Sequence, residues 1–381
     1  MTGTMALPEG GRVDFARLRA ERRRRLAASM ASHELDALIL GRPANIAYAS
    51  GARQLWTAGA RPFGPGAVVV RETGRVHLLS TWDEGIPAEV GHDDLFGLAW
   101  NPANLIANVA RIPGLHGARR VGTDSSSPGF GQFLAAVAPD ADLVDAGPAI
   151  ATARTVKTPD ELACIETATA LAEGALDALT EALRPGVTEQ ELVGAYLAAI
   201  AGRGEPAPPT EGIVCATPHD GPVRLRQVPT GRAVGADELV VLNPGARYGG
   251  YEGGVGRTWL PGPSPATPAQ RGLAGRCRTA LDAMLDQCRP GRTGADLRRA
   301  WEAAGEPLPS SPLAHGVGLG MEAPVVAAGV GDGAELIDGM VLAVQGWVQA
   351  EGVGGFLERE VVVVAEDGPR ALSRFGRGPA A

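Results

Sequence analysis

Residues 184–199, RPGVTEQELVGAYLAA, and residues 289–305, RPGRTGADLRRAWEAAG, open on the same R-P-G-x-T and continue into an amphipathic helix. In each case another long helical stretch precedes the motif and apolar strands follow it. Self-similarity on this scale marks a duplicated α–β unit. The parallel extends to the strands, since DELVVLN ends at Asn243 and DGMVLAVQ at Gln345, each a polar amide closing an apolar run. Duplication brings such strand ends together around one cavity, so Asn243 and Gln345 are expected to face each other there. The fold class is α+β, and the half containing the repeat carries an internal pseudo-twofold axis.

Upstream of the repeat, DFARLRAERRRRLAASMASHELDALILG reads as an amphipathic helix running into a short apolar strand at residues 38–40. GPGAVVV and GRVHLLST follow as strands separated by a turn, and NPANLIANVARI as a helix. This α/β pattern stops near TARTVKTPDELACIE, where Thr158, Pro159 and Glu161 form a capping box with proline at the first helical position. The chain of 381 residues exceeds what one core usually organises. Two domains are expected, residues 1–155 and 156–381.

Hydrophobic residues make up 45% and charged residues 20% of the chain, the balance of a globular protein. A net charge of −8 argues against nucleic acid as a partner, because that affinity rests on clustered cations. A small molecule is the expected partner. Lys157 is the sole lysine, so arginine supplies nearly all the positive charge. Cys164, Cys215, Cys277 and Cys288 show no CxxC spacing and no disulfide framework, which points to a reduced, cytoplasmic setting. No apolar run of about 18 residues occurs, so no membrane span is expected.

Two of the six histidines fall in the second half, both in glycine-rich turns beside apolar strands: His219 in IVCATPHDGP and His315 in LAHGVGLGMEAP. A histidine in such a turn serves either as a hydrogen-bonded structural residue or as a group lining a cleft. The stretch VVLNPGARYGGYEGGVGRTW, residues 240–259, reads as a strand, a tight glycine turn and a returning strand. Cys215, four residues before His219, leaves a thiolate nucleophile open beside the plain reading of a small buried residue.

Over nearly its whole length the chain resembles the family of pita-bread enzymes that includes methionine aminopeptidase, prolidase, aminopeptidase P and creatinase. The family's metallopeptidases carry two aspartates on the first hairpin, a histidine in an H-G-x-G turn and two glutamates near the end. The matching positions here are Asn243, Gly254, His315, Gln345 and Glu358. Only two of those ligands survive, so the resemblance is to metal-free creatinase, with no metal and no other cofactor implied. The Leu-Asn step at residues 242–243 and the tail GGFLEREVVVVAEDG carry that likeness, and spacing in the tail selects Glu358 over Glu360 as the active-site acid.

The same resemblance implies that His219 is the general acid and base, that His315 and Glu358 act beside it, and that Glu358 holds a cationic amidine or amine. It implies that Arg61 and Phe63, in GARQLWTAGARPFGPG, grip a substrate carboxylate and its apolar part from the partner subunit, which requires a homodimer. Asn243, Gln345, Glu322 and Trp347 complete the expected substrate site, with Trp259 as a further candidate for an apolar wall. Gly256 stands where creatinase has a glutamate, and Met321 where the peptidases have a second histidine, so creatine itself is not the expected substrate. The expected activity is metal-independent hydrolysis of a C–N bond in a small carboxylate-bearing substrate, amidino or amide. A lyase, cyclase or other tailoring reaction on the same scaffold, and a pseudopeptidase that binds a peptide or protein without chemistry, are the alternatives.

Overall fold

The structure, a computed structural model, describes residues 11–52, 66–80, 83–97, 101–124, 130–203, 212–218, 220–330 and 333–377. The chain divides into one compact unit ending at Arg154 and a second beginning at Thr155. The first contains α1 (Phe15–Ser32), β1 (Ala37–Leu40), α2 (Pro43–Ser50), β2 (Ala67–Val70), β3 (Arg75–Leu79), β4 (Leu95–Phe96), α3 (Pro102–Val109), β5 (Arg120–Thr123), α4 (Phe130–Val137), β6 (Asp142–Asp145) and α5 (Gly147–Arg154). Its strands form one mixed sheet in the order β4-β3-β2-β1-β5-β6. The central strand β1 reads Ala-Leu-Ile-Leu and is buried at every position, as a strand covered on both faces must be.

The second unit contains α6 (Pro159–Ala182), α7 (Glu189–Ala201), β7 (Ile213–Thr217), β8 (Leu239–Asn243), β9 (Gly245–Tyr248), β10 (Tyr251–Gly254) and β11 (Arg257–Trp259). It continues through α8 (Pro268–Leu285), α9 (Gly294–Ala303), β12 (Ala314–Gly318), β13 (Gly320–Val326), β14 (Val341–Ala350), β15 (Gly354–Val363) and β16 (Arg370–Ala371). Thr158 and Glu161 cap α6 reciprocally, with Pro159 in the first turn. No helix among the described residues is long and apolar enough to cross a membrane.

The repeat is visible in hydrogen bonds. Gly186 and Gly291 take left-handed φ values of 85° and 79°, which bends each R-P-G-x-T motif so that its glycine N–H meets Val234 O and Leu336 O. Thr188 and Thr293 then bridge Ala233 and Glu335 and open α7 and α9. Asn243 lies ten positions beyond Ala233 and Gln345 ten beyond Glu335, so the two amides are equivalent under the repeat. Further along, β8 pairs with β11 and β14 with β15, which makes Gly256 and Arg257 the counterparts of Arg359 and Glu360.

These counterparts meet at the seam between halves. Gly256 and Arg359 exchange two backbone hydrogen bonds, 3.3 and 3.0 Å, joining the sheet β11-β8-β7 to the sheet β13-β12-β14-β15-β16. Arg257 lies across the join with its side chain 1% exposed and all five N–H donors engaged. It donates to Gly256 O (2.8 Å), Arg359 O (2.9 Å), Glu360 Oε1 (2.6 Å), Phe375 O (2.9 Å) and Gly376 O (3.1 Å). Burial pushes the Glu360 carboxyl up against the pull of Arg257, so desolvation is a large part of this arrangement. Breaking such a pair leaves an uncompensated buried charge. Arg257→Met is expected to lower unfolding free energy by about 3 to 5 kcal/mol in urea titrations, and a loss below about 1 kcal/mol, the range of a surface pair, would contradict this role.

Candidate functional site

Alternation along the strands separates two faces of the second unit. Phe356 and Val362 on β15 pack with Val344 and Val348 on β14 against α8 and α9. Leu357 packs on the other face with Trp347, Val241, Cys215 and Ile213. Asn243, two residues beyond Val241, and Gln345, two before Trp347, belong to this second, concave face by the same alternation. Arg359 sits directly across from Gln345 in the ladder between β14 and β15. Across the seam, Asn243 Oδ1 is buried without a hydrogen-bond partner, 2.9 Å from where a side chain at Gly256 would begin. The two amides stand at the ends of one row with Gly256 and Arg359 between them, not facing each other across a cavity, and Gln345 Nε2 donates to Pro312 O at 2.8 Å.

A small cavity, with room for about one water molecule, lies beside this row. It is lined by His315, Arg359, Glu252 and Val317 together with Gly245, Gly253 and Gly320. The hairpin β9–β10 supplies much of it, turning through Gly249 and Gly250 at φ 58° and 81°. Gly253 lets β10 lie against α6, for a Cβ there would stand 2.4 Å from Thr169 N. Tyr196 holds the start of β9 by donating to Gly245 O at 2.6 Å, and burial pushes its hydroxyl up to about 12, so it stays a neutral donor. His315 is buried, with Nδ1 2.9 Å from Gly316 O. A carbonyl only accepts, so Nδ1 is the nitrogen that carries the proton in this contact.

Glu358 requires a correction. Its side chain is 1% exposed and lies on the same face of β15 as Phe356, with Oε1 accepting from Arg278 Nε on α8 at 2.8 Å. The choice of Glu358 over Glu360 counted spacing and ignored strand alternation, which turns residue 358 outward to the helices and residue 359 inward. Arg359, absent from the sequence-based candidates, is the side chain that β15 presents to the cavity. Period-two alternation from Leu357 could have found it.

Other expectations also change. Glu322 is tied to Lys157 at 2.9 Å, the sole lysine, and is not part of the cavity wall. Trp347 fills the apolar cluster on the concave face, while Trp259 packs edge-on against Phe375 in the cluster under α6 and α7. Cys215 is fully buried and its thiol is pushed up by that burial, which removes the ready thiolate that a nucleophile needs. His219, Arg61 and Phe63 lie outside the described residues.

The chain on either side of position 219 is nonetheless anchored, and by one carboxylate. Glu189, fully buried at the start of α7, accepts from Ala216 N (2.8 Å), Thr230 N (2.7 Å), Thr230 Oγ1 (2.8 Å) and Arg226 Nη1 (2.9 Å). Burial alone would raise its pKa, but the hydrogen bonds from Arg226, Ala216 and Thr230 outweigh it and hold the carboxyl below its usual range. Folding therefore favours the ionised form. Its stabilising contribution is complete above the ordinary carboxyl value and fades as pH falls through the depressed one. Glu189→Gln is expected to cost about 2 to 3 kcal/mol at neutral pH, with the gap to wild type narrowing below about pH 4. Unfolding curves at several pH values check this, and a gap that widens in acid would contradict it.

Comparison with known proteins places the chain in a family. Residues 163–366 match the model of metallopeptidase family M24, and residues 22–156 match the creatinase/prolidase N-terminal domain. A Xaa-Pro dipeptidase of Pyrococcus horikoshii is 28% identical over 276 residues, 69% of this chain and 75% of that protein. The uncharacterised peptidase YqhT of Bacillus subtilis is 25% identical over 295 residues, 73% and 79% of the two chains. Among solved structures, a prolidase from Pyrococcus horikoshii superposes with a TM-score of 0.76 at 21% identity, covering 94% of this chain and 99% of its own. An X-Pro aminopeptidase from Thermotoga maritima gives 0.74 at 18% identity, covering 93% and 98%. The chain has the two-domain fold of these proteins, an N-terminal creatinase/prolidase domain followed by a pita-bread domain, and it belongs to metallopeptidase family M24.

Proposed function

We propose that the protein is a metal-independent hydrolase that cleaves a C–N bond in a small carboxylate-bearing substrate, with His219 as general acid and base. The observation that carries this reading is Arg359. A side chain at Gly254 would begin 3.8 Å from its guanidinium carbon, and Gln345 stands directly across the ladder from it. A divalent ion is held by converging anions and imidazoles. Here Asn243 and Gln345 are neutral amides, Gly254 has no side chain, and the Glu358 carboxylate is on Arg278. A guanidinium on the wall would repel whatever cation came near. The residues present do not fit the metal that the family's name implies.

His219 can do the work of both halves of hydrolysis without a metal. An imidazole that titrates near about 6.5 protonates the leaving nitrogen as the C–N bond breaks and accepts a proton from the attacking water. Glu189 ties Ala216 and Thr230, which flank His219 in the sequence, to one point. With Glu358 outside the cavity, no carboxylate at 358 awaits a cationic amidine, and an amide is the better-matched substrate. The reading keeps a homodimer whose site is completed by Arg61 and Phe63, and a small molecule as the partner.

A panel of N-acyl and amidino amino acids tests the proposal by product release, with and without chelator, for wild type and His219→Ala. The expected result is turnover of an N-acyl amino acid that chelator leaves unchanged. His219→Ala should lower kcat by about 10² to 10⁴-fold with little change in substrate binding. Activity that requires added Mn²⁺ or Co²⁺, or an unimpaired His219→Ala enzyme, would contradict the reading, and binding without turnover of any panel member would favour the pseudopeptidase.

A further inference from the structure

We propose that His77 is an acid-operated pin in the first unit: while neutral it holds the turn His92–Asp94 and the edge strand β4 against β3, and protonation releases them. The inference is independent of the activity proposed above. His77 lies on β3 directly across the ladder from Val68, so its ring is on the face of the apolar cluster that contains Val68, Phe96, Leu105 and Val109. It is 4% exposed. The edge strand is short, pairing Leu95 with Leu78 and Phe96 with Leu79. Asp94, which closes the turn before it, is the side chain that ties this edge to β3.

The same contacts set the charge of the ring. Nδ1 stands 3.1 Å from Asp94 Oδ1, which puts the neutral ring's proton on Nδ1, and Nε2 is buried without a hydrogen-bond partner. Asp94 is also engaged by Arg75, whose Nη2 is 2.7 Å from Oδ1 and whose Nε donates to Oδ2 at 3.1 Å. Its single charge is thus already balanced by a guanidinium. A second proton on the ring would add a buried charge with no anion of its own and an N–H at Nε2 with no acceptor. No neighbouring element supplies one. β2, α2 and β4, which pack on β3, contain no charged residue, and neither do α3 and α4 over the cluster. The other residues of the turn, His92 and Asp93, are exposed, His92 lying 3.9 Å from Asp83. Burial accordingly pulls the pKa of His77 down by more than Asp94 raises it, and Arg75 adds to the fall. An open state in which the ring reaches water takes up the proton more readily. The stability of this edge is therefore complete above the ordinary imidazole value, about 6.5, and is lost as pH falls below it toward the depressed one.

The experiment follows the full chain by mass spectrometry in deuterated buffer. Slow exchange of the imidazole C2 proton gives the titration of each histidine separately, with the exposed His92 of the same turn as reference. His77 should titrate at a lower pH than His92. Backbone exchange across residues 92–96, corrected for the intrinsic effect of pH, should show protection falling by about threefold or more between about pH 7.5 and about pH 5.5. His77→Asn, whose amide can still face Asp94 but takes up no proton, should lose no protection over this range. A ring that merely fills space would give equal protection at both pH values. His77 titrating with or above His92, unchanged protection in wild type, or the same fall in His77→Asn would each overturn the proposal. The two wild-type readouts decide even if the variant fails to fold.

Discussion

A single arginine holds the second unit together. Arg257 lies across the seam where the two repeated halves meet, and its five donors close on acceptors from β11, β15 and the C-terminal segment. Gly256 and Arg359 are bonded to each other beside it because the pseudo-twofold axis passes between equivalent positions, which can only pair with their own counterparts. Gly256 is small for a reason that follows. A Cβ there would stand 2.7 Å from Leu357 Cδ2, 2.8 Å from Arg359 Cβ and 2.9 Å from Asn243 Oδ1. Any side chain at that point would open the seam.

From this constraint comes the character of the site. The seam brings the row Asn243, Gly256, Arg359 and Gln345 onto one face, and of this row Arg359 reaches the cavity, where it joins His315 and Glu252. A family built for divalent cations places anions around such a point. This chain lines the cavity with Arg359 and Glu252, and turns Glu358 to Arg278 behind the sheet and Glu360 to Arg257 within the seam.

Much of this was legible in the sequence, and the rest was hidden for identifiable reasons. The R-P-G-x-T repeat announced the duplicated unit, because a glycine with positive φ and a capping threonine are local signals that survive where side-chain packing does not. Asn243 and Gln345 could be paired because each follows an apolar run, although only Asn243 ends its strand and β14 runs on past Gln345 to Ala350. Glu358 was misplaced because a count along the chain carries no information about which face of a strand a residue takes. Leu357 belongs to the cluster with Trp347 and Val241 and Phe356 to the one under α8 and α9, and that alternation assigns Arg359 to the cavity. The pairing of Glu322 with Lys157, across 165 positions, left no local trace at all. Cys215 looked reactive beside His219, and only its complete burial shows the thiol to be core.

The central claim is that a side-chain cation has replaced a metal at the axis of the pita-bread domain. Crystals grown with excess Mn²⁺ and N-acetylglycine, with diffraction recorded near the manganese absorption edge, test it most directly. The expected result is no anomalous peak within coordination distance of Asn243, Gln345 or His315, with Arg359 still on the cavity lining. A manganese peak ligated by His315, with Arg359 swung out of the cavity, would contradict it.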